Sequence, residues 1–116
     1  MKKKIYISGP ISGHDLEERR KAFALAQKRC EEAGYDVFNP MSNGLPANSS
    51  TAEHMKRDLE TLLQCDSIYM MNGWNHSAGC HTEFVVATSI GCSFVFESLA
   101  YCEEENGKYI TKLKFQ

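Results

Sequence analysis

The sequence lacks a long apolar run, an excess of one charge and closely spaced cysteines. No apolar stretch approaches the roughly 20 residues that a membrane span needs. Ser8, Gly9 and Pro10 interrupt the first apolar run before the core of a signal peptide could form. Thirteen Lys and Arg residues against 15 Asp and Glu give a net charge of -2, which argues against a dedicated binder of nucleic acid polymers or membrane surfaces. We therefore expect a cytoplasmic protein.

Five cysteines are present, and none belongs to a C-x-x-C pair. Their odd number and wide spacing favour buried free thiols over disulfides or a zinc site. Cys80 and His81 are adjacent, but neighbouring residues of a helix point in different directions. We expect no bound metal. Neither internal repeats nor low-complexity segments occur, and 116 residues suit one domain, residues 1–116.

Short apolar runs alternate with segments of helical periodicity. Runs at residues 4–8, 35–38, 67–71 and 92–96 predict strands. Helices are predicted to begin at Asp15, Ser50 and Ser77 and to end near Gly34, Cys65 and Gly91. This order predicts an α/β domain with a parallel sheet of four to five strands and helices on both faces. Beyond it we expect a helical turn at 98–102, a loop at 103–107 and an edge strand at 109–115.

The apolar stripes expected to face the sheet are predicted from helical spacing. Their members are Leu16, Phe23, Ala26, Cys30 and Ala33 on the first helix, Met55, Leu59, Leu62 and Leu63 on the second, and Cys80, Phe84, Ala87 and Gly91 on the third. Ligands of such folds bind at the carboxyl ends of the strands. The loops predicted there are residues 9–13, 39–50 and 72–77.

The stretch from Ser77 to Glu83 carries the strongest functional signal. Ala78 and Gly79 are small enough to let a ligand approach the helix start, where unpaired N–H groups favour an anion. About one helical turn on, Glu83 lies on the apolar stripe of its helix. A carboxylate is costly there unless a function requires it.

Asp58 interrupts the apolar stripe of the second helix in the same way. Each acid alone could be a structural carboxylate paired with a cation such as Arg57. Two inward-facing acids on helices that start beside one crevice favour chemistry at an anomeric carbon. One acid would attack C1′ and the other would assist the leaving group.

Other candidates carry weaker signals. The loop at 9–13 has neither the ending of a P-loop nor a G-x-G-x-x-G pattern. Tyr6 is either a core residue or part of the site, and Trp74 either stacks on a base or covers the core. A Cys80 nucleophile with His76 as its base is possible at this spacing but less favoured than the carboxylates.

Four motifs together resemble one superfamily. They are Tyr6-Ile-Ser-Gly-Pro10, Met55-Lys-Arg-Asp-Leu59, Cys65-Asp-Ser-Ile68 and the run from Asn72-Gly-Trp74 through Ser77-Ala-Gly to Glu83. The chain is similar over residues 4–96 to the nucleoside 2-deoxyribosyltransferase-like superfamily. It most resembles the DUF4406 branch, which is related to the 2′-deoxynucleoside 5′-phosphate N-hydrolases. The resemblance implies a flavodoxin-like, Rossmann-like three-layer sandwich.

The resemblance also implies roles for single residues. Glu83 matches the nucleophile, Asp58 the acid that assists the departing base, and Tyr6 the tyrosine near the sugar. Ser77 matches a 5′-phosphate contact, which the backbone at Gly79 would join. The further substrate-binding residues expected at the crevice are Gly9, Pro10, Ser12 and Trp74.

Two departures from the superfamily bear on the substrate. The segment Pro10-Ile-Ser12 differs from the N-hydrolase branch. Where the transferases have an acid and Gly-Thr before the glutamate, this chain has Ser77-Ala-Gly, which favours a monophosphate hydrolase over a transferase of free nucleosides.

The expected activity is cleavage or transfer of the N-glycosidic bond of a (deoxy)nucleoside 5′-monophosphate through a glycosyl–Glu83 intermediate. No metal or organic cofactor is expected. A homodimer or larger assembly is implied, because a neighbouring subunit commonly completes the site in this superfamily. Two alternatives stay open: a nucleotide-binding module without turnover, acting as a sensor or sponge, and a redox or flavin protein of the same fold class.

Overall fold

A four-stranded parallel sheet forms the centre of the molecule. The computed structural model describes residues 2–99, 101–105 and 108–112, with side chains up to residue 98. The strands are β1 (Lys4–Ser8), β2 (Asp36–Phe38), β3 (Ser67–Met70) and β4 (Ser93–Phe96), in the spatial order β2-β1-β3-β4. All neighbours in the sheet are parallel. The predicted α/β fold with a parallel sheet is confirmed.

The described residues form three α-helices, α1 (Leu16–Glu32), α2 (Thr51–Leu62) and α3 (Ala78–Ile90). Asp15 caps α1, and Ser50 with Glu53 forms a complete capping box on α2. Gly34 and Gly91 follow α1 and α3 with positive φ angles of 96° and 81°, which glycine adopts most easily. None of the described helices combines the length and apolar character of a membrane span.

Alternating side chains of the sheet pack against helices on both of its faces. Ile5, Ile7, Tyr69 and Val95 form a core with Phe23, Ala26 and Cys30 of α1. On the opposite face, Tyr6, Ile68 and Met70 pack with Leu62 of α2 and with Cys80 and Ala87 of α3. Successive strand residues point to opposite faces, so one sheet supports two cores. The result is the predicted three-layer, flavodoxin-like sandwich.

The ends of the predicted apolar stripes are wrong. Leu16 and Ala33 lie at the two ends of α1 and are exposed, and Leu63 is 58% exposed as the cap residue after α2. Gly91, predicted to extend the stripe of α3, is also exposed. Helical spacing continues to the last turn of a helix, whereas burial stops where the sheet beneath it ends.

The segment after β4 differs from its prediction. A short 3₁₀ helix (Glu97–Leu99) precedes an antiparallel hairpin of β5 (Tyr101–Glu105) and β6 (Lys108–Lys112), which forms a separate two-stranded sheet. The predicted loop is therefore a strand at 103–105, because backbone pairing with β6 outweighs the low strand propensity of three glutamates. The predicted edge strand is present up to Lys112 but does not join the main sheet. Residues 113–116 lie outside the described residues.

The direction of the chain reverses between β1 and β3, so the switch point of the sheet, here called the crevice, lies at their carboxyl ends. The chain leaves β1 toward β2 and returns on the other side to β3. The loops that follow β1 and β3 lie side by side, since a Cβ added at Gly73 would be 3.4 Å from Cγ of Pro10. Ligands of open α/β sheets bind at such a switch point.

Candidate active site

Glu83 is a buried acid that α3 holds against the end of β1. It is 7% exposed, and both of its carboxylate oxygens accept hydrogen bonds. Ser8 Oγ donates to Oε1 at 2.7 Å, and the Tyr6 hydroxyl donates to Oε2. Tyr6 and Ser8 are two apart on a strand and so face the same side of the sheet. The register of β1 therefore builds a two-point holder for one carboxylate.

Burial dominates the ionisation of Glu83. Removal from water raises its pKa from the usual 4.5 to about 7, helped by the negative charge of Asp58 and opposed by the hydrogen bonds from Tyr6 and Ser8. The pKa of Tyr6 is raised well above its usual 10, first by burial and then by the charges of Glu83 and Asp58. Tyr6 consequently stays a neutral phenol and can act as a hydrogen-bond donor at physiological pH.

Asp58, half-buried on α2, is the second acid of the crevice. Asn43 Nδ2 donates to Oδ1 of Asp58 at 3.0 Å. Burial raises the pKa of Asp58, and Asn43, His54 and Arg57 act in the opposite direction. A raised pKa keeps more of the carboxyl group in its protonated form.

Neither acid of the crevice is locked in an ion pair by any described Lys or Arg. Arg57 donates instead to the backbone carbonyl of Asn43 at 2.9 Å. Asp58 is close enough for its charge to raise the pKa values of both Glu83 and Tyr6. The structure thus brings Glu83, Tyr6 and Asp58 together, whereas their catalytic roles stay predictions.

Asn43 is a site residue that sequence reasoning missed. It is buried in the loop at 39–50, where its side-chain oxygen accepts from the Leu45 amide at 3.1 Å. Its Nδ2 also lies 3.0 Å from His54 Nδ1, so the amide group can donate one hydrogen to that ring and one to Asp58. One asparagine in a loop rich in Ser, Asn and Gly has no distinguishing pattern. Ser8, by contrast, was detectable from its i+2 spacing to Tyr6.

Ser77 and Gly79 lie at the start of α3. Ser77 caps this helix, with its Oγ accepting from the Cys80 amide at 3.3 Å. A Cβ at Gly79 would make ordinary contacts, 3.5 Å from Met55 Cε and 3.9 Å from Ser77 Oγ. The glycine is thus not required by packing against protein, and a role in substrate binding stays a prediction.

The alternative nucleophile Cys80 is in an unsuitable environment. Its side chain is buried, and burial raises the pKa of the thiol. A raised pKa disfavours the thiolate that nucleophilic attack requires. His76, its predicted base, is exposed. The carboxylates remain the better candidates.

The loop after β1 has a packing role as well as a place at the crevice. A Cβ at Gly9 would lie 2.5 Å from Met71 Sδ and 3.0 Å from Phe23 Cζ, so a larger residue would require Met71 and Phe23 to shift. Pro10 is buried and Ser12 is exposed. Substrate contacts from these three residues stay predictions.

Trp74 packs on an aromatic cluster of the α3 face. Its ring is nearly parallel to Phe84, with centroids 5.0 Å apart, and it lies 6.0 Å from Phe96 and 5.6 Å from His81. This is the packing of a residue that covers the core, which is one of the two roles predicted for Trp74. Stacking on a base is not required to explain its position and stays a prediction.

A separate open cavity lies at the opposite end of the strands from Glu83. It has a volume of about 730 Å³ and is lined by Lys2, Lys3, Ala33, Gly34, Tyr35, Ser67 and Ser93. These residues surround the amino ends of the strands, away from Glu83. Across the described residues, no group of three or more His, Cys, Asp or Glu side chains is arranged to hold a metal ion.

Comparisons with known proteins give one family and two similar structures. The model of DUF4406, a domain of unknown function, matches residues 3–96. No curated protein sequence matches. A 2-deoxyribosyltransferase from Bacillus psychrosaccharolyticus superposes with a TM-score of 0.63 at 23% identity, over 80% of this chain and 70% of that one. The CMP N-glycosidase BcmB from Clostridium botulinum superposes with a TM-score of 0.57 at 23% identity, over 85% and 75%. At this identity the likeness concerns the fold.

Proposed function

The chain belongs to the DUF4406 family, and we propose that it cleaves or transfers the N-glycosidic bond of a (deoxy)nucleoside 5′-monophosphate. The observation that carries the proposal is the Glu83 carboxylate, held by Tyr6 and Ser8 and electrostatically coupled to Asp58. The fold likeness to a deoxyribosyltransferase and a CMP N-glycosidase supports the same chemistry.

In the first step, an oxygen of ionised Glu83 attacks C1′ of the sugar. The bond between C1′ and the base nitrogen breaks, and its electron pair stays with the base. Protonated Asp58 donates its proton to the departing base, directly or through a water molecule. Tyr6 and Ser8 orient the attacking carboxylate, because each of their hydroxyls occupies one lone pair and leaves others for attack.

In the second step, the glycosyl–Glu83 ester is resolved. Water attacks C1′ while Asp58, now a carboxylate, takes its proton, and Glu83 leaves as a carboxylate. A second base that replaces water would give transfer. The raised pKa values of both acids place their protonation changes closer to physiological pH, where such an exchange of roles is effective.

The 5′-phosphate is assigned to the crevice side of α3. Ser77 lies at the start of that helix, and the first backbone amides of a helix have no partner within it. No acid stands directly before Ser77-Ala-Gly, which is a further reason to favour an anionic substrate and hydrolysis. A homodimer or larger assembly and the absence of a cofactor are parts of the same proposal.

Release of free base tests the proposal directly. We would incubate the protein with each ribo- and deoxyribonucleoside 5′-monophosphate, with and without a second base, and quantify free base by chromatography. Glu83→Gln should lower the rate by at least about 10³-fold, as expected for loss of a nucleophile. The exposed Glu60→Gln on α2 serves as the matched control and should keep wild-type activity.

The covalent step has its own readout. Acid quenching early in turnover, followed by mass spectrometry, should reveal the added mass of the sugar phosphate on the peptide that contains Glu83. A wild-type protein that releases no base from any nucleotide, or a fully active Glu83→Gln variant, would refute the proposal. Tight nucleotide binding without turnover that survives Glu83→Ala would support the nucleotide-binding module instead.

A further inference from the structure

Arg19 is a buried cation without a matching acceptor. It lies in the first turn of α1 and is 8% exposed, whereas its neighbour Arg20 is exposed. Among the described residues, Arg19 forms one ion pair, a 3.5 Å contact from Nη1 to Glu18, whose side chain is mostly exposed. Nε and Nη2 have no hydrogen-bond partner in the structure. Burying such donors without an acceptor is costly, so this edge of the guanidinium calls for a ligand.

The guanidinium of Arg19 lies beside the loop that follows β1. Its carbon is 5.5 Å from the ring centroid of Phe23. The Cζ atom of that ring would be 3.0 Å from a Cβ at Gly9, which places the ring directly beneath the loop. The positive charge of Arg19 also lowers the pKa of the Cys80 thiol, against the larger effect of burial. Arg19 is therefore beside the loop after β1 and close enough to the first turn of α3 for its charge to act on Cys80.

We propose that Arg19 binds the 5′-phosphate of the substrate through the unpaired Nε and Nη2 edge of its guanidinium. These two donors are parallel and can each bond one phosphate oxygen, a geometry that lysine cannot reproduce. The proposal rests on the proposed function for the identity of the substrate. It adds a specificity residue from α1 to the contact proposed for Ser77 at the start of α3.

A base-independent probe separates this proposal from turnover. The affinity of 2-deoxyribose 5-phosphate, with 2-deoxyribose as the uncharged reference, would be measured by titration calorimetry at constant ionic strength. Arg19→Met should weaken binding of the phosphate about 100-fold, and Arg19→Lys should recover only part of it. Arg20→Met removes the same charge from an exposed position one residue away and should stay within about twofold of wild type.

Measurements of kcat/KM provide a second test. Where the wild type releases base, kcat/KM for the nucleotide relative to its nucleoside should fall about 100-fold in Arg19→Met and remain unchanged in Arg20→Met. Retained nucleotide preference in Arg19→Met would overturn the role of Arg19 and leave the proposed function standing. A wild type that binds 2-deoxyribose 5-phosphate through Arg19 but releases no base would refute only the proposed function.

Folding is controlled separately. Circular dichroism and thermal melting would be recorded for every variant. If Arg19→Met does not fold, the melting temperatures of Arg19→Gln and of the wild type provide the test. Equal melting temperatures of the wild type with 2-deoxyribose 5-phosphate and with 2-deoxyribose would overturn the proposal, and a higher melting temperature with the phosphate that Arg19→Gln loses would support it.

Discussion

The two acids of the crevice are held in different ways. Glu83 is bonded by Tyr6 and Ser8, so its position follows from the pairing of β1 with its neighbours. Asp58 is bonded by Asn43, whose position depends on the loop at 39–50. The first acid is held by regular elements and the second by a loop. Glu83 is therefore positioned by the sheet itself, whereas the position of Asp58 depends in part on a loop.

The pKa values of the two acids also differ in what determines them. Glu83 loses most of its contact with water and has a pKa of about 7, whereas Asp58 is half-buried and has compensating partners in Asn43, His54 and Arg57. The negative charge of Asp58 contributes less to the raised pKa of Glu83 than burial does. The proposed reaction needs Glu83 ionised and Asp58 protonated, so the burial of Glu83, which favours its neutral form, acts against the reactive form.

Among substitutions of Asp58 and of the residues that hold the two acids, loss of the proton donor Asp58 should have the largest effect on the rate. Asp58→Asn cannot donate a proton to the leaving base, so kcat should fall about 10²–10⁴-fold. A sugar substrate with a nitrophenolate leaving group needs no protonation and should recover most of the rate. Glu60→Gln on the same helix is the control. A similar loss with both leaving groups would show that Asp58 acts in binding instead.

Glu83→Gln should stabilise the fold at alkaline pH. The folded-state pKa of about 7 lies above the usual 4.5, so the folded protein retains a proton that the unfolded chain releases between these values. Stability of the wild type therefore falls as pH rises from 4.5 to 7. The variant should match it near pH 4 and exceed it by roughly 3 kcal/mol at pH 8 in urea unfolding. An equal pH dependence in the two proteins would contradict the elevated pKa.

Removal of the Tyr6 or Ser8 hydroxyl should change the ionisation of Glu83. Tyr6→Phe deletes the stronger of the two bonds that lower the pKa of Glu83, so a smaller fraction of Glu83 should be ionised and kcat/KM below neutral pH should fall. At pH 6 we expect a loss of about tenfold, and a smaller loss for Ser8→Ala. Tyr69→Phe, on the other face of the sheet, is the matched control and should leave kcat/KM at pH 6 unchanged.

The smallest effect is expected in the loop. Asn43→Ala removes a bond that lowers the pKa of Asp58, so a larger fraction of Asp58 should be protonated at a given pH and kcat should change by about threefold. Unfolding should become easier by about 1–2 kcal/mol, because Asp58 and His54 lose a buried partner. The exposed Asn48→Ala of the same loop should change neither. An unchanged kcat in Asn43→Ala would separate Asn43 from the chemistry.

Local signals were sufficient for much of the fold and part of the site. Alternating apolar runs and capping residues predicted β1 to β4 and α1 to α3, and a carboxylate on an apolar stripe singled out Glu83 and Asp58. Asn43 and Arg19 escaped, because an asparagine in a polar loop and an arginine among charged helix residues look ordinary in sequence. Their burial, which gives them meaning, depends on how distant segments pack.

What the sequence by itself determined is β1 to β4, α1 to α3 and the two inward acids, since helix caps, strand patterns and apolar stripes arise from neighbours a few residues apart. Only the tertiary structure decided which polar groups those acids meet. Glu83 bonds residues more than 70 positions away, and no local pattern encodes a contact of that separation. The same holds for the C-terminal hairpin, whose strand at 103–105 exists because β6 folds back to pair with it.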